Sequence, residues 1–153
     1  MNTYHVFNVQ FSTEIKLSEP QSLGLDALIM KYPHIADDKS ALFSVIFVLY
    51  PQIAKEAMQM SDDEFLEYAE ITFFGSSGQS GQADLTACRN VLGATVESRI
   101  VEKCFPDNKY RETFIVALDN GDSLVIGFEK HEQCSMSVYE QATAEILNSL
   151  KVC

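Results

Sequence analysis

The chain has 153 residues, 46% of them apolar, with ten Phe and six Tyr, enough to bury a core without a disulfide or metal staple. Twenty-two acidic residues face eleven basic ones, a formal net charge of −11 that opposes contact with phosphate backbones and excludes a nucleic-acid binder. No run reaches the roughly 18–20 apolar residues of a membrane helix, and no basic leader precedes an apolar block, so a cytoplasmic protein away from membranes is expected.

In chain order, "YHVFNVQF" (4–11) alternates apolar and polar residues and predicts a first strand, bending into "EIKL" at 14–17. The stretch 21–31 predicts a short helix stopped by Pro33. "SALFSVIFVLYP" (40–51) is a nearly continuous apolar run whose β-branched and aromatic content favours a buried strand, with a buried helix as the alternative on periodicity. In "MSDDEFLEYAEITFFG", Ser61 and Glu64 form a capping-box pattern, and Asp62 and Asp63 suit the positive end of a helix dipole. Phe65, Leu66, Ala69 and Phe73 then recur at helical spacing, predicting an acidic amphipathic helix over 62–73.

"FFGSSGQSGQADLTA" (73–87) has the glycine and serine content of a phosphate-binding or nucleophile loop. It lacks the lysine of a GxxxxGK loop and the glycine offsets of GxSxG, and it follows a helix rather than a strand. A plain surface connection is the reading. "ADLTACRNVLG" predicts a further helix ended by Gly93, and "ATVESRIVEKCF" a strand. "RETFIVALDNGDSLVIGFEK" predicts a hairpin turning at Asn120-Gly121, with Asp119 opposite Asp122 and both faces covered. That register places Thr113, Ile115 and Ala117 on one face with Leu124, Ile126 and Phe128. The chain closes on a helix in "SVYEQATAEILNSLKV", with a Ser137/Glu140 capping pattern and a stripe of Val138, Ala142, Ile146 and Leu150. Together these predict one α+β domain over 1–153, a central, largely antiparallel sheet with helices packed on it, the C-terminal helix among them.

Chemistry is sparse. "HEQCS" at 131–135 lacks the second histidine of a zinc-protease motif, and His131 with Cys134 would need Cys104 and a fourth ligand to hold zinc. Asp119 and Asp122 do not meet the calcium-loop spacing and read as turn residues. The four cysteines are widely spaced, as free thiols in a reducing compartment are, with Cys153 expected at the surface. No cofactor or metal is expected, and no catalytic residue is assigned.

The strongest electrostatic feature is the interval from Lys55 to Arg89, which holds no intervening basic residue but seven acidic ones. The partner-binding candidates are therefore Asp62, Asp63, Glu64, Glu67 and Glu70, with Tyr68 as an aromatic anchor for a basic protein partner. A small hydrolase or transferase assembled from distant loops, and a small-molecule or lipid-binding domain, are the alternative functions.

The strand at 95–105, the hairpin at 111–128 and the closing "YEQATAEILNSLKV" resemble the end of PsbP-like domains, a family that includes Ran-binding proteins of the Mog type. The resemblance implies an α/β/α sandwich and a binding or assembly role without a catalytic site; no functional residue carries over. In size, acidity and lack of recognisable chemistry the chain is also similar to small bacterial immunity and inhibitor proteins.

Overall fold

The computed structural model describes residues 1–24, 26–32, 41–74, 85–104 and 108–153. Its centre is the predicted apolar run: β5 (Phe43–Tyr50) pairs antiparallel with β9 (Ser123–Lys130), from Phe43 opposite Lys130 to Tyr50 opposite Ser123. Every residue of β9 is buried, as a strand covered on both faces requires. Five more strands extend this pair: β3 (Gln21–Gly24), β4 (Ala27–Lys31), β6 (Leu85–Val91), β7 (Ala94–Cys104) and β8 (Lys109–Ala117). The resulting seven-stranded sheet has the order β3-β4-β5-β9-β8-β7-β6, every neighbour antiparallel.

One face carries α2 (Asp62–Phe73), whose Phe65, Leu66 and Ala69, with Phe74 beyond its end, pack on Ile29, Ile46, Val48 and Val125. The short α1 (Gln52–Met58) precedes it. The other face carries α3 (Met136–Ser149) and a small sheet of β1 (Asn2–Val6), β2 (Val9–Thr13) and β10 (Lys151–Val152). There Val9, Phe11, Tyr139, Ala142 and Ile146 close over Phe43, Phe47, Phe114, Ile126 and Phe128. The fold is thus α+β, as the element order predicts, with the sheet sandwiched between helices. Among the described residues no helix is long and apolar enough to cross a membrane.

Several local expectations are overturned, each for a physical reason. The first strand is two, β1 and β2, because Phe7 takes φ 54° and turns the chain back at Phe7-Asn8. The helix expected over 21–31 is the β3–β4 hairpin. Gly24 (φ 138°) and Asp26 (φ 59°) bend the backbone, and the short apolar run after them is buried in the sheet, a pattern that periodicity cannot separate from a helix. The helix expected around 83–93 is replaced by β6 over Leu85–Val91. Gly93 (φ 79°) does not end a helix but pairs with Leu92 (φ 52°) as a two-residue primed turn between Val91 and Ala94.

The β8–β9 hairpin exists, but one residue out of the expected register. Leu118 N–H donates to the Asp122 carbonyl at 2.8 Å and Gly121 N–H to the Leu118 carbonyl at 3.1 Å, so the loop is Asp119-Asn120-Gly121. This is the three-residue form with glycine (φ 92°) in the positive-φ position. Phe114 and Val116 therefore share a face with Leu124, Ile126 and Phe128, while Ile115 turns with Val125 toward α2. The cap of the last helix lies two residues before the expected one: Ser135, not Ser137, accepts the Val138 N–H through its Oγ at 3.2 Å.

Candidate binding surface on helix α2

The capping box of α2 forms as its sequence predicts. Glu64 N–H donates to Ser61 Oγ at 3.2 Å, and Ser61 N–H donates to Glu64 Oε1 at 3.1 Å. This fixes the helix start, and with it which acidic side chains reach solvent.

The six candidate residues divide into two sets. Asp62 is paired within the fold: its carboxylate lies 3.3 Å from Lys55 Nζ and accepts from Ser123 Oγ at 3.0 Å, tying α1 and α2 to the end of β9. Lys55 Nζ also donates to Ser123 Oγ at 2.5 Å and lies 5.5 Å from the Tyr50 ring centre. Glu70 is half-buried and accepts from Arg99 Nη1 at 3.0 Å; burial raises its carboxyl above the ordinary range despite that arginine. The second set, Asp63, Glu64, Glu67 and Tyr68, is exposed. Glu67 stands 4.0 Å from the same Arg99 nitrogen, at the edge of ion-pair range.

Tyr68, 40% exposed, sits at a surface cleft of about 180 Å³ between α1, α2 and the strands beneath. Tyr50, Phe65 and Phe73 also line it, together with Asp26 and Met58. The rings are fixed by one another: Tyr50 stacks on Phe65 at 3.8 Å and 3°, and Tyr68 meets Phe73 edge-on at 6.2 Å and 86°. Tyr50 is anchored further by donating its hydroxyl to the Met60 carbonyl at 3.0 Å. A second cleft of about 280 Å³ lies by Leu118, Leu150 and Lys151. Both are smaller than the roughly 300–1,000 Å³ typical of small-molecule sites.

α2 also ends on a built contact. Arg111 Nη2 donates to the Phe74 carbonyl, and its Nε donates to Glu129 Oε2 at 3.0 Å, placing a cation at the negative end of the helix. The Phe74 ring lies against Gly127, where an added Cβ would collide with it.

On the opposite face, Glu112 is the centre of a buried polar cluster that the sequence reading does not identify. Its side chain is 0% exposed. Arg89 grips it with both Nε and Nη2 at 2.7 Å, and the Tyr139 hydroxyl donates to Oε1 at 2.7 Å. Burial pushes the Glu112 carboxyl up, but the donors Arg89, Tyr139 and Ser98 outweigh it and hold the group below the ordinary range. Burial and the adjacent carboxylate raise the Tyr139 hydroxyl far above the ordinary phenol range. Arg89 and Tyr139 thus converge on one carboxylate and join β6, β8 and α3 through it. The only cue in the sequence is a lone Glu in an apolar strand pattern, "RETFIVA".

Among the described residues no group of three or more His, Cys, Asp or Glu is gathered to hold a metal. His131 Nδ1 accepts from the Gln133 N–H at 3.1 Å, inside the turn before α3. Cys104 and Cys134 are buried and Cys88 and Cys153 exposed; burial raises the Cys134 thiol. Asp122 accepts from Gln52 N–H at 2.9 Å and so starts α1, while Asn120 and Asp122 bond across their turn. The Gly/Ser stretch at 75–81 lies outside the described residues.

No family model matches the chain, and no curated protein matches it by sequence. Among solved structures, a point mutant of the protein Mog1 is similar over 99% of this chain and 96% of its own, with a TM-score of 0.52 and 10% identity. A protein from Bacteroides thetaiotaomicron is similar over 95% of this chain, with a TM-score of 0.51 and 8% identity; the chain spans 45% of that structure. At these identities the likeness is one of fold, and it extends across the whole chain rather than the C-terminal part alone.

Proposed function

We propose that this protein is a non-catalytic binding module for a basic protein partner, in the manner of an inhibitor or immunity protein, and that α2 with its aromatic cleft is the contact surface. The observation that carries this reading is the exposed Tyr68 at a preformed aromatic cleft, on a helix whose Asp63, Glu64 and Glu67 face solvent. An amphipathic, rotamer-poor anchor on an acidic helix suits protein recognition: the aromatic side chain supplies affinity, and the carboxylates steer a cationic partner and reject acidic ones. Asp62 and Glu70 serve the same surface indirectly, by holding α2 against the sheet through Lys55, Ser123 and Arg99. The overall charge of −11 extends the attraction beyond the contact itself.

The test is affinity capture from the native lysate at low and moderate salt, with wild type beside an Asp63→Lys/Glu67→Lys variant. Glu64 is left intact because its carboxylate closes the capping box. One basic protein enriched by wild type, weakened by salt and lost by the variant, is the expected result. Equal recovery by the variant overturns the assignment of α2.

A further inference from the structure

We propose that the cleft beside Tyr68 receives the ammonium end of a lysine side chain, an inference that rests on the basic-partner reading and names the group that α2 recognises. Its size is the first argument: about 180 Å³ suits one side chain, not a small-molecule ligand. Its walls are the second. Tyr68 and Phe73 bring two partly exposed rings to the cleft, nearly perpendicular at 86°, over a floor in which the buried Tyr50 and Phe65 stack on each other. Aromatic faces carry negative potential, and rings gathered around a small space attract a desolvated cation more than any one of them does.

Charge is the third argument. Asp26 adds an acidic residue to the cleft lining, and α2 offers Asp63, Glu64 and Glu67 outside it without a basic residue of its own. The protein already uses this recognition internally. Lys55 places its ammonium 5.5 Å from the Tyr50 ring and 3.3 Å from Asp62, one aromatic ring and one carboxylate for one cation. A lysine fits better than an arginine because its four-carbon stem matches the apolar interior and its compact head needs no bidentate partner, whereas a guanidinium is best held by a planar fork.

The test is an NMR titration of the whole chain with hexalysine, with hexalysine acetylated on every side chain, and with hexa-arginine, at moderate salt. Saturable shifts at Tyr68, Phe73 and Asp26 are expected with hexalysine, and none with the acetylated peptide, which keeps the stem and loses the charge. Tyr68→Ala is expected to weaken binding about tenfold. Asp26→Asn is expected to weaken it several-fold; asparagine tolerates the left-handed backbone at φ 59°, so the variant removes charge without straining the turn. Shifts confined to Asp63 and Glu67, with affinity unchanged in Tyr68→Ala, overturn the lysine site and leave the basic-partner reading standing. Hexa-arginine entering the cleft as tightly overturns the choice of lysine. No saturable shift with either cationic peptide overturns the site and the reading together.

Discussion

Both faces of the large sheet hold an arginine beside a buried or half-buried glutamate, and the two glutamates respond in opposite directions. Under α3, Glu112 receives both prongs of the Arg89 fork and the Tyr139 hydroxyl, with Ser98 adding a further bond, and its carboxyl falls below the ordinary range. On α2, Glu70 accepts from Arg99 Nη1, which Glu67 also approaches, and burial raises its carboxyl despite Arg99 and the more distant Arg111. An opposite charge nearby does not settle the sign of a shift. The number of donors aimed at the carboxylate, set against the water removed from it, does. One site holds the fold together, and the other sits under the surface proposed to bind.

The comparison is broken most severely at Arg89. Arg89→Met leaves the Glu112 carboxylate buried among neutral donors, and a loss of about 3–5 kcal/mol is expected from urea unfolding at neutral pH. Because the folded Glu112 pKa lies below its unfolded value, its stabilisation is present above the ordinary carboxylate range and is lost as pH falls through the folded value. The penalty of Arg89→Met therefore shrinks on acidification; a penalty that stays constant would show that Glu112 is not what Arg89 stabilises.

Next in size is Gly127→Ala on the α2 face. Its new methyl meets the Phe74 ring, and overpacking of this kind costs about 1–3 kcal/mol. Phe74→Leu in the same chain should return part of the loss, as a double-mutant cycle would measure. Ser61→Ala removes one half of the capping box and is expected to cost about 1 kcal/mol, read from thermal unfolding with circular dichroism reporting the helix.

The smallest effect sharpens the contrast between the faces. Glu70→Gln should stay within about 1 kcal/mol of wild type at neutral pH. A raised folded pKa means that the favourable contribution of Glu70 is present at low pH and is lost as pH rises through the folded value. The variant thus gains relative to wild type as pH rises, the opposite trend to Arg89→Met. Parallel pH trends in the two variants would remove the distinction drawn between the faces.

Much of the architecture was legible because it depends on strong local patterns. The capping box at Ser61 and Glu64 and the stripe of the final helix are legible in spacing, and the apolar run of β5 in its β-branched and aromatic content. The failures fall where spacing is ambiguous and the sheet decides. "LTACRNV" and "ALIMK" become strands because partners lie beside them, Ile100 opposite Leu85 and Val48 opposite Ala27. Asn120-Gly121 announces a turn but not its length, and one extra loop residue exchanges the faces of Phe114 and Ile115. Of the surface, the acidic run and Tyr68 were readable. The cleft was not, since Asp26, Tyr50, Phe65 and Phe73 meet only once the hairpin before β5 and the helices after it have folded. Nor could the sequence show that Asp62 and Glu70 would turn toward Lys55 and Arg99.

The pairing of β5 with β9 also sets an order of events during synthesis. "FSVIFVLY" leaves the ribosome long before "SLVIGFEK", and in the finished sheet β4 covers only one of its two edges. Until the later strand emerges, the most apolar segment of the first half has an open edge and no finished core to shelter it. Residues 43–50 are therefore where an interrupted or slowly made chain is most exposed to aggregation, and where a chaperone would have most to protect.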